Sequence, residues 1–600
     1  MSERFCPDDA VLRSAIQIPL SMTGGKSHGL KTSGFLSMGL MIGMCVPRSC
    51  SQNDVTGILD RAISLLPLNT SAMHVSISCR EDRNLSSDRR AIAAIVICSI
   101  IGFFILVGTV YDVCILQIPS SIRLSEKRSI QAIQDEKTTL IYSGASNPKG
   151  GDEFQQVASP PSILAKCLAS FSVYTNGRKI LSTAQAPGSL NCLHGIRFLS
   201  MSWVILGHTY GIMLTVSDNM AEYVPVIFKR WTFQAILNGM VSVDSFFFLS
   251  GLLVAYISFK EMNKNEGRIN WALFYFHRFW RLTPAYMLVM MVDICLFRYF
   301  GDGPIWPQQG IEVNYCRDTW WKSLLYINNF FSFNSGCISW GWYLANDMQF
   351  YVLSPLVLIT LHRSRVAGTA VLLALLTGSF ITTGVISSVN KLPPNGIDLN
   401  QDINKPNLYQ DLYYEKPYCR IGPYLVGMAV GYTCILHRTG SQMKFTKKGL
   451  VFGWVLAFAC NLAVLYGLYG HFNTEPLTSD VSALYNTVSR TAWALGLGWL
   501  VIACSSGNGG IINSLLSWAP FQPLGRLTYC AYLIHPLVIL YFATGREVVP
   551  HASDLNMIYY FLGHIVMSYG LAFVVSLAFE APMIGLERVL LKRDRKRTEN

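Results

Sequence analysis

The run Ala91-Ile92-Ala93-Ala94-Ile95-Val96-Ile97-Cys98-Ser99-Ile100-Ile101-Gly102-Phe103-Phe104-Ile105-Leu106-Val107-Gly108-Thr109-Val110 decides the class of fold. A helix of about 20 apolar residues crosses a hydrocarbon core of roughly 30 Å. Read as 91–114, this run is the first of eleven. The others fall at about 196–216, 233–258, 271–297, 338–361, 366–388, 420–437, 449–470, 490–506, 527–544 and 557–580. The 600 residues are 51% hydrophobic and 14% charged, with a mean hydropathy of +0.33. A soluble domain carries about 25% charge. The recurring runs argue against a soluble protein with an oversized core.

The net charge of +12 could signal nucleic acid. Its placement says otherwise. Lys260, Lys264 and Arg268, then Arg363 and Arg365, then Arg438, Lys444, Lys447 and Lys448, sit in alternate short loops, and Lys592 to Arg597 form a basic tail. The loop at 471–488 has no Lys or Arg. This alternation predicts an N-terminus outside or in the lumen, a cytosolic C-terminus and no nucleic-acid partner. The expected class is an all-α polytopic membrane protein of about eleven helices with a small cysteine-containing domain outside. The plasma membrane and the endoplasmic reticulum fit this topology equally.

Five segments follow. Residues 1–90 are the outer domain, 91–116 the first anchor, 117–190 a polar cytosolic linker, 191–585 the membrane domain and 586–600 the basic tail. Met1-Ser2-Glu3-Arg4-Phe5 opens no signal peptide, so the true start is expected upstream. Asn69 and Asn84 head glycosylation sequons that act only outside the cytosol. Cys6, Cys45, Cys50 and Cys79 precede the first span, and Cys316 and Cys337 flank one polar loop. Six cysteines fit disulfides in an oxidising compartment, and we expect Cys316 to pair with Cys337. None has CxxC spacing, so no metal is expected.

Soluble catalytic motifs are missing. Gly24-Gly25-Lys26-Ser27 resembles the end of a phosphate loop, but Leu20 stands where the first glycine is needed. There is no HxxxxD or HExxH.

Chemistry must therefore reside in the spans, where ionisable residues are costly. Arg197 and His208 lie eleven residues apart, on nearly one helix face and about 16 Å apart along the axis. Singly, each has a plain structural reading: a snorkelling anchor and a satisfied buried histidine. Together they suggest a lined cavity. Asp244 sits among Phe246, Phe247 and Phe248 and needs a cationic partner. Arg278 and Arg281 are one turn apart and suit a phosphate-bearing ligand, or simple positive-inside anchoring. Asp347, Arg420, Arg490, His535 and Glu580 complete the set. These residues suit a proton-coupled transporter as well as an enzyme that takes a phosphorylated donor from the cytosol.

Their motifs resemble the membrane acyltransferase-3 superfamily, in its animal "nose resistant to fluoxetine" type. Arg197…His208 is similar to the family's Arg-x10-His helix. Val243-Asp244-Ser245-Phe246-Phe247-Phe248-Leu249-Ser250-Gly251 resembles its G-V-D-x-F-F-x-x-S-G motif, and Arg278-Phe279-Trp280-Arg281-Leu282-Thr283-Pro284 its R-x-x-R-I-x-P motif. Trp342 to Tyr351 resembles W-S-L-x-x-E-x-Q-F-Y, with Asp347 for glutamate, and Tyr529 to Pro536 resembles Y-x-x-Y-L-x-H-P. Cys45-Val46-Pro47-Arg48-Ser49-Cys50 is similar to the extracytoplasmic C-V-P-x-S-C signature. The likeness covers roughly residues 40–590, and Cys419 stands where the family more often has a small polar residue.

The resemblance implies a ten-helix acyltransferase-3-type core and O-acyl transfer. Acyl-CoA would be the donor substrate, with no bound cofactor, and a hydroxyl on a lipid, sterol or glycan the acceptor. His208 would be the general base or a covalent acyl carrier, oriented by Asp244 or Asp347. Arg197, Arg278 and Arg281 would hold the CoA phosphates, with His535, Arg420 and Glu580 as secondary candidates. The alternative reading is a lipid or small-molecule transporter on the same fold.

Overall fold

The computed structural model describes residues 84–118, 162–185, 189–303, 313–332, 336–396, 408–439, 445–473 and 476–598, with short pieces at 12–18, 40–46, 57–58, 61, 76–79, 305–307 and 311. Among the described residues, eleven helices are long and apolar enough to cross a membrane. In order these spans are Arg89–Gln117, Cys192–Thr215, Val241–Lys264, Trp271–Tyr299, Ser339–Arg363, Arg365–Val389, Pro417–Arg438, Lys447–Asn473, Ser479–Ser505, Phe521–Thr544 and Asp554–Leu591. Near the N-terminus, β1 (Leu12–Ile18) pairs antiparallel with both β2 (Leu40–Val46) and β3 (Ser76–Cys79). Cys6, Cys50 and Asn69 lie outside the described residues, as do the side chains of Cys45, Cys79 and residues 592–600. Asn84 is exposed and caps the short turn Leu85–Ser87.

Short polar side chains start the spans by taking up the free N–H groups of a first turn. Asp88 accepts from the backbone of Arg90 and Ala91, Asn270 from Leu273, Ser364 from Ala367, Thr446 from Gly449 and Ser553 from Asn556.

The tenth span starts six residues before the expected 527 and the eleventh ends eleven residues after the expected 580, and two further differences have a visible cause. The third runs Val241–Lys264, whereas 233–258 was expected. Asn238 breaks the helix upstream, held by its bond to the Leu465 carbonyl at 2.7 Å and by a bond from Asn395 at 2.6 Å. Downstream, buried Phe259 and Met262 carry the helix past Lys260. The ninth span begins at Ser479, eleven residues before the expected 490. Its first three turns hold Asp480, Ser482 and Asn486, which hydropathy reads as loop. Asn486 is buried and donates to Ser387 Oγ at 2.9 Å, so protein contacts stabilise what lipid would not.

Burial separates the centre of the bundle from its rim. In the third and seventh spans 72% of the apolar window is buried, against 17% in the first, sixth and eighth. The two central helices meet backbone to backbone. A Cβ on Gly251 would lie 2.1 Å from the Tyr424 carbonyl oxygen, and one on Gly427 2.1 Å from that of Phe248. Only glycine permits this approach, a common device where helices pack within lipid.

The first span is more than an anchor. Tyr299 donates to Asp88 at 2.8 Å at one end. At the other, buried Asp112 accepts from Ser172 at 2.6 Å and Thr175 at 2.5 Å. Those residues begin the short helix Val173–Leu181, which with Ile163–Ala169 lies in the segment expected to be a partly flexible linker. The described part of that segment is folded against the first span.

Cys316 and Cys337 form the expected disulfide, with a Cα separation of 4.6 Å. Beside that loop, Asn329 and Asn346 donate to the Glu415 carbonyl, and Lys416 donates to the Asn329 carbonyl at 2.5 Å. Burial pushes the Glu415 carboxyl up to about 8; Lys416 and Arg420 pull it down and Asp411 raises it. The folded state therefore holds this proton up to about pH 8, whereas the unfolded chain releases it near 4.5. Stability is lost as pH rises between those values. Thermal unfolding of Glu415→Gln should show a midpoint above wild type at pH 8.5, with the gap closing by about pH 4.5.

Candidate functional site

A cavity of about 2400 Å³ runs through the bundle, lined by the second, third, fourth, fifth, tenth and eleventh spans. Arg197, His208, Arg278, Arg281, Asp347, His535 and Glu580 all reach its wall. Asp244 and Arg420 do not.

His208 presents more than a third of its surface to this cavity, while His535 behind it is fully buried. His535 Nε2 lies 3.1 Å from His208 Nδ1. His535 Nδ1 faces two acceptors, the carbonyls of Tyr532 at 2.8 Å and Ala531 at 3.2 Å. It must therefore carry the proton, which leaves Nε2 as a lone pair. That lone pair accepts from His208 Nδ1–H, which also faces the Val204 carbonyl at 3.1 Å. With its Nδ1 protonated, neutral His208 has a basic Nε2, an atom with no hydrogen bond among the described residues. This is the arrangement a general base requires. The orienting partner expected from Asp244 or Asp347 is a histidine instead.

Each carboxylate is committed elsewhere. Asp244 is 0% exposed and binds Arg420 at 2.8 Å, with Arg490 Nε 3.9 Å from its other oxygen. Arg420 is also 0% exposed, donates to the Tyr414 carbonyl and lies over the rings of Tyr414 and Trp342. Arg490 lies over Tyr413. This cluster joins the third, seventh and ninth spans and makes Arg420 a structural residue. Asp347 pairs with Arg278, which also donates to Ser250 at 3.1 Å and lies over Tyr351. Arg278 was expected to hold phosphate, but its charge is already neutralised.

The remaining cations mark one end of the cavity. Arg197, Arg281, Lys179 and Arg588 line it there, and none makes an ion pair among the described residues. Arg526 closes the same end by donating to the carbonyls of Lys179, Ile180 and Ser182 at the C-terminus of Val173–Leu181. Lys179, Arg526 and Arg588 were not found in the sequence: the first lies in the supposed linker, and the other two flank spans, where basic residues are routine. Glu580 is held by Ser576 at 2.9 Å and by the Cys530 thiol at 3.2 Å, in a π-helical turn at Ser576–Glu580. Such turns often re-aim a side chain towards a site.

The molecule thus offers an oriented neutral base in mid-cavity, with unpaired guanidinium groups towards one end. That suits transfer from an anionic donor to a hydroxyl. Among the described residues, no group of His, Cys, Asp or Glu could hold a metal.

Residues 190–577 match a family model described as an acyltransferase domain, the acyltransferase-3 type. The chain is 33% identical over 580 residues to nose resistant to fluoxetine protein 6 of Caenorhabditis elegans, covering 92% of this chain and 66% of that protein. It is 24% identical over 428 residues to regulator of hypoxia-inducible factor 1 of the same organism, covering 66% and 80%. It is 25% identical over 327 residues to "Putative peptidoglycan O-acetyltransferase YrhL" of Bacillus subtilis, covering 52% and 46%. The chain thus spans just under two thirds of the first of these relatives. No solved structure gives a significant match.

Proposed function

The chain belongs to the acyltransferase-3 family, and from that premise we propose that it is a membrane-embedded O-acyltransferase using acyl-CoA. The observation that carries this reading is the His208–His535 pair opening onto a cavity with unpaired cations at one end. We place the basic end in the cytosol, because Lys260, Lys264, Arg268, Arg363 and Arg365 lie at the helix ends and short connections on that side. The N-terminal segment then lies outside or in the lumen.

The donor's phosphates bind Arg197 and Arg281, with Lys179 and Arg588 beside them. The thioester rises towards His208. His208 Nε2 takes the proton of the acceptor hydroxyl as its oxygen bonds to the thioester carbonyl carbon. The carbon–sulfur bond breaks, and the thiolate leaves with the proton from Nε2, giving an ester and free CoA. His535 Nε2 keeps its hydrogen bond to His208 Nδ1–H throughout, which holds the ring and stabilises the transient imidazolium. Attack by Nε2 itself would break the same carbon–sulfur bond, release the thiolate and give an acyl-histidine, which the acceptor hydroxyl then cleaves as its proton passes to the thiolate.

Arg281→Gln and Arg197→Gln should each raise KM for acyl-CoA about tenfold, one lost charge-assisted contact, with kcat little changed. Initial rates of CoA release from the protein in vesicles measure this. An unchanged KM in both variants removes the assignment of the phosphate end. The cavity is lined by residues from both ends of the bundle, which also suits passage of a lipid. Labelled-lipid flux that survives His208→Ala, with no CoA release by wild type, would favour that second reading.

A further inference from the structure

The cavity changes character beyond His208. One side of its wall there comes from the last turns of the second span and from residues 228–240, which contribute Tyr210, Leu214, Phe228, Phe233, Ile236 and Leu237. No charged residue of these segments reaches the wall. The charged wall residues lie towards the basic end or, for Arg278 and Asp347, are paired with each other. Hydroxyl groups are few. In these two segments Tyr210 and Thr215 supply them, and the Thr215 hydroxyl is already spent on the Ile212 carbonyl at 2.7 Å; Ser242, Ser339, Gln410 and Tyr414 add the polar groups of the neighbouring elements.

A second feature keeps this lobe open. Gly207 and Gly211 stand one turn apart on the second span and line the cavity beside His208. A Cβ on either would meet nothing within 4 Å. Glycine inside a helix costs roughly 1 kcal/mol relative to alanine. Here no close helix contact explains that cost, unlike at Gly251 or Gly427. What the two glycines preserve is empty volume next to the base.

We infer that the acceptor is a lipophilic alcohol, its apolar body filling this lobe and its hydroxyl directed at His208 Nε2. The inference rests on the acyltransferase reading and narrows its acceptor. A glycan would enter the lobe only by giving up the hydration of many hydroxyls, each costing about 1–3 kcal/mol without a new partner. An alkyl or ring body gains about 25 cal/mol per Å² buried and has one hydroxyl to satisfy.

The test uses the purified full chain in phosphatidylcholine vesicles with radiolabelled acetyl-CoA or palmitoyl-CoA. Hexadecanol and cholesterol are the lipophilic probes and chitotriose the water-soluble one. The expected result is labelled ester on hexadecanol or cholesterol, formed at least about tenfold faster than any transfer to chitotriose. Gly211→Leu, which fills the lobe, should reduce that ester formation by about tenfold or more. Gly102→Leu is the control for a glycine-to-leucine change in a span, because Gly102 also meets nothing within 4 Å and lies outside the cavity. Its rate should match wild type. Faster transfer to chitotriose, or ester formation by Gly211→Leu at the wild-type rate, overturns the inference. CoA release without any lipid ester also overturns it while leaving acyl transfer from CoA intact. No CoA release with either donor overturns the acyltransferase reading and this inference with it.

Discussion

His208→Ala should lower the rate of CoA release and ester formation by about 10²–10⁴-fold, the contribution expected of a general base. The protein should remain folded, because the imidazole faces the cavity and its removal leaves only His535 Nε2 short of a donor. KM for acyl-CoA should change little, since the phosphate contacts are about 16 Å away along the same helix. His535 is a positioning residue, and its variants separate that role from a packing role. His535→Gln retains an acceptor for the His208 Nδ1 proton and should keep most of the rate. His535→Leu keeps the volume but offers no acceptor, and kcat should fall on the order of 10²-fold through loss of ring orientation. Equal rates in the glutamine and leucine variants would sink the paired-histidine mechanism. Wild-type turnover in His208→Ala would sink the site itself.

That pair shows where sequence reasoning stops. His208 stands out because it shares a helix face with Arg197, a relation fixed by the helical repeat alone. Its partnership with His535 spans 327 residues and depends on how the second and tenth spans pack, which no local pattern carries. Asp244 was expected to need a cationic partner and has one, but which residues supply it is hidden for the same reason. An aspartate in an aromatic stretch of a span reads as functional by default, yet Arg420 and Arg490 arrive from two other spans to neutralise it. Arg278 looked like one half of an arginine pair, and only packing brings Asp347 to it.

The fold was more legible than the site. Apolar runs of span length were countable, and all eleven have a counterpart helix. The errors occur where a helix is stabilised by protein rather than lipid, as in the polar first turns of the ninth span. Residues 163–181 were read as linker because they are short and polar. Their order comes from Asp112, a buried carboxylate at the end of an otherwise apolar helix. The open lobe beside His208 could not have been read at all, since Gly207 and Gly211 take their meaning from what does not touch them.

The Asp244 cluster gives the other large effect, on stability rather than catalysis. Asp244→Ala removes the only acidic partner, among the described residues, of two buried guanidinium groups, Arg420 at 0% and Arg490 at 6% exposure. Stranding a buried charge costs about 3–5 kcal/mol, so the variant should be purified in poor yield or with a sharply lowered thermal midpoint in detergent. Arg420→Leu should cost less, because Asp244 keeps Arg490 within 3.9 Å. Combining it with Asp244→Leu should cost less than the sum of the two single changes, since only Arg490 is then left uncompensated. Removing the carboxylate is therefore worse than removing one guanidinium, an asymmetry that follows from one acid serving two bases. A catalytic role predicts the reverse pattern. If Asp244→Ala unfolds at the wild-type midpoint yet releases no CoA, the carboxylate acts on the reaction and the structural assignment fails.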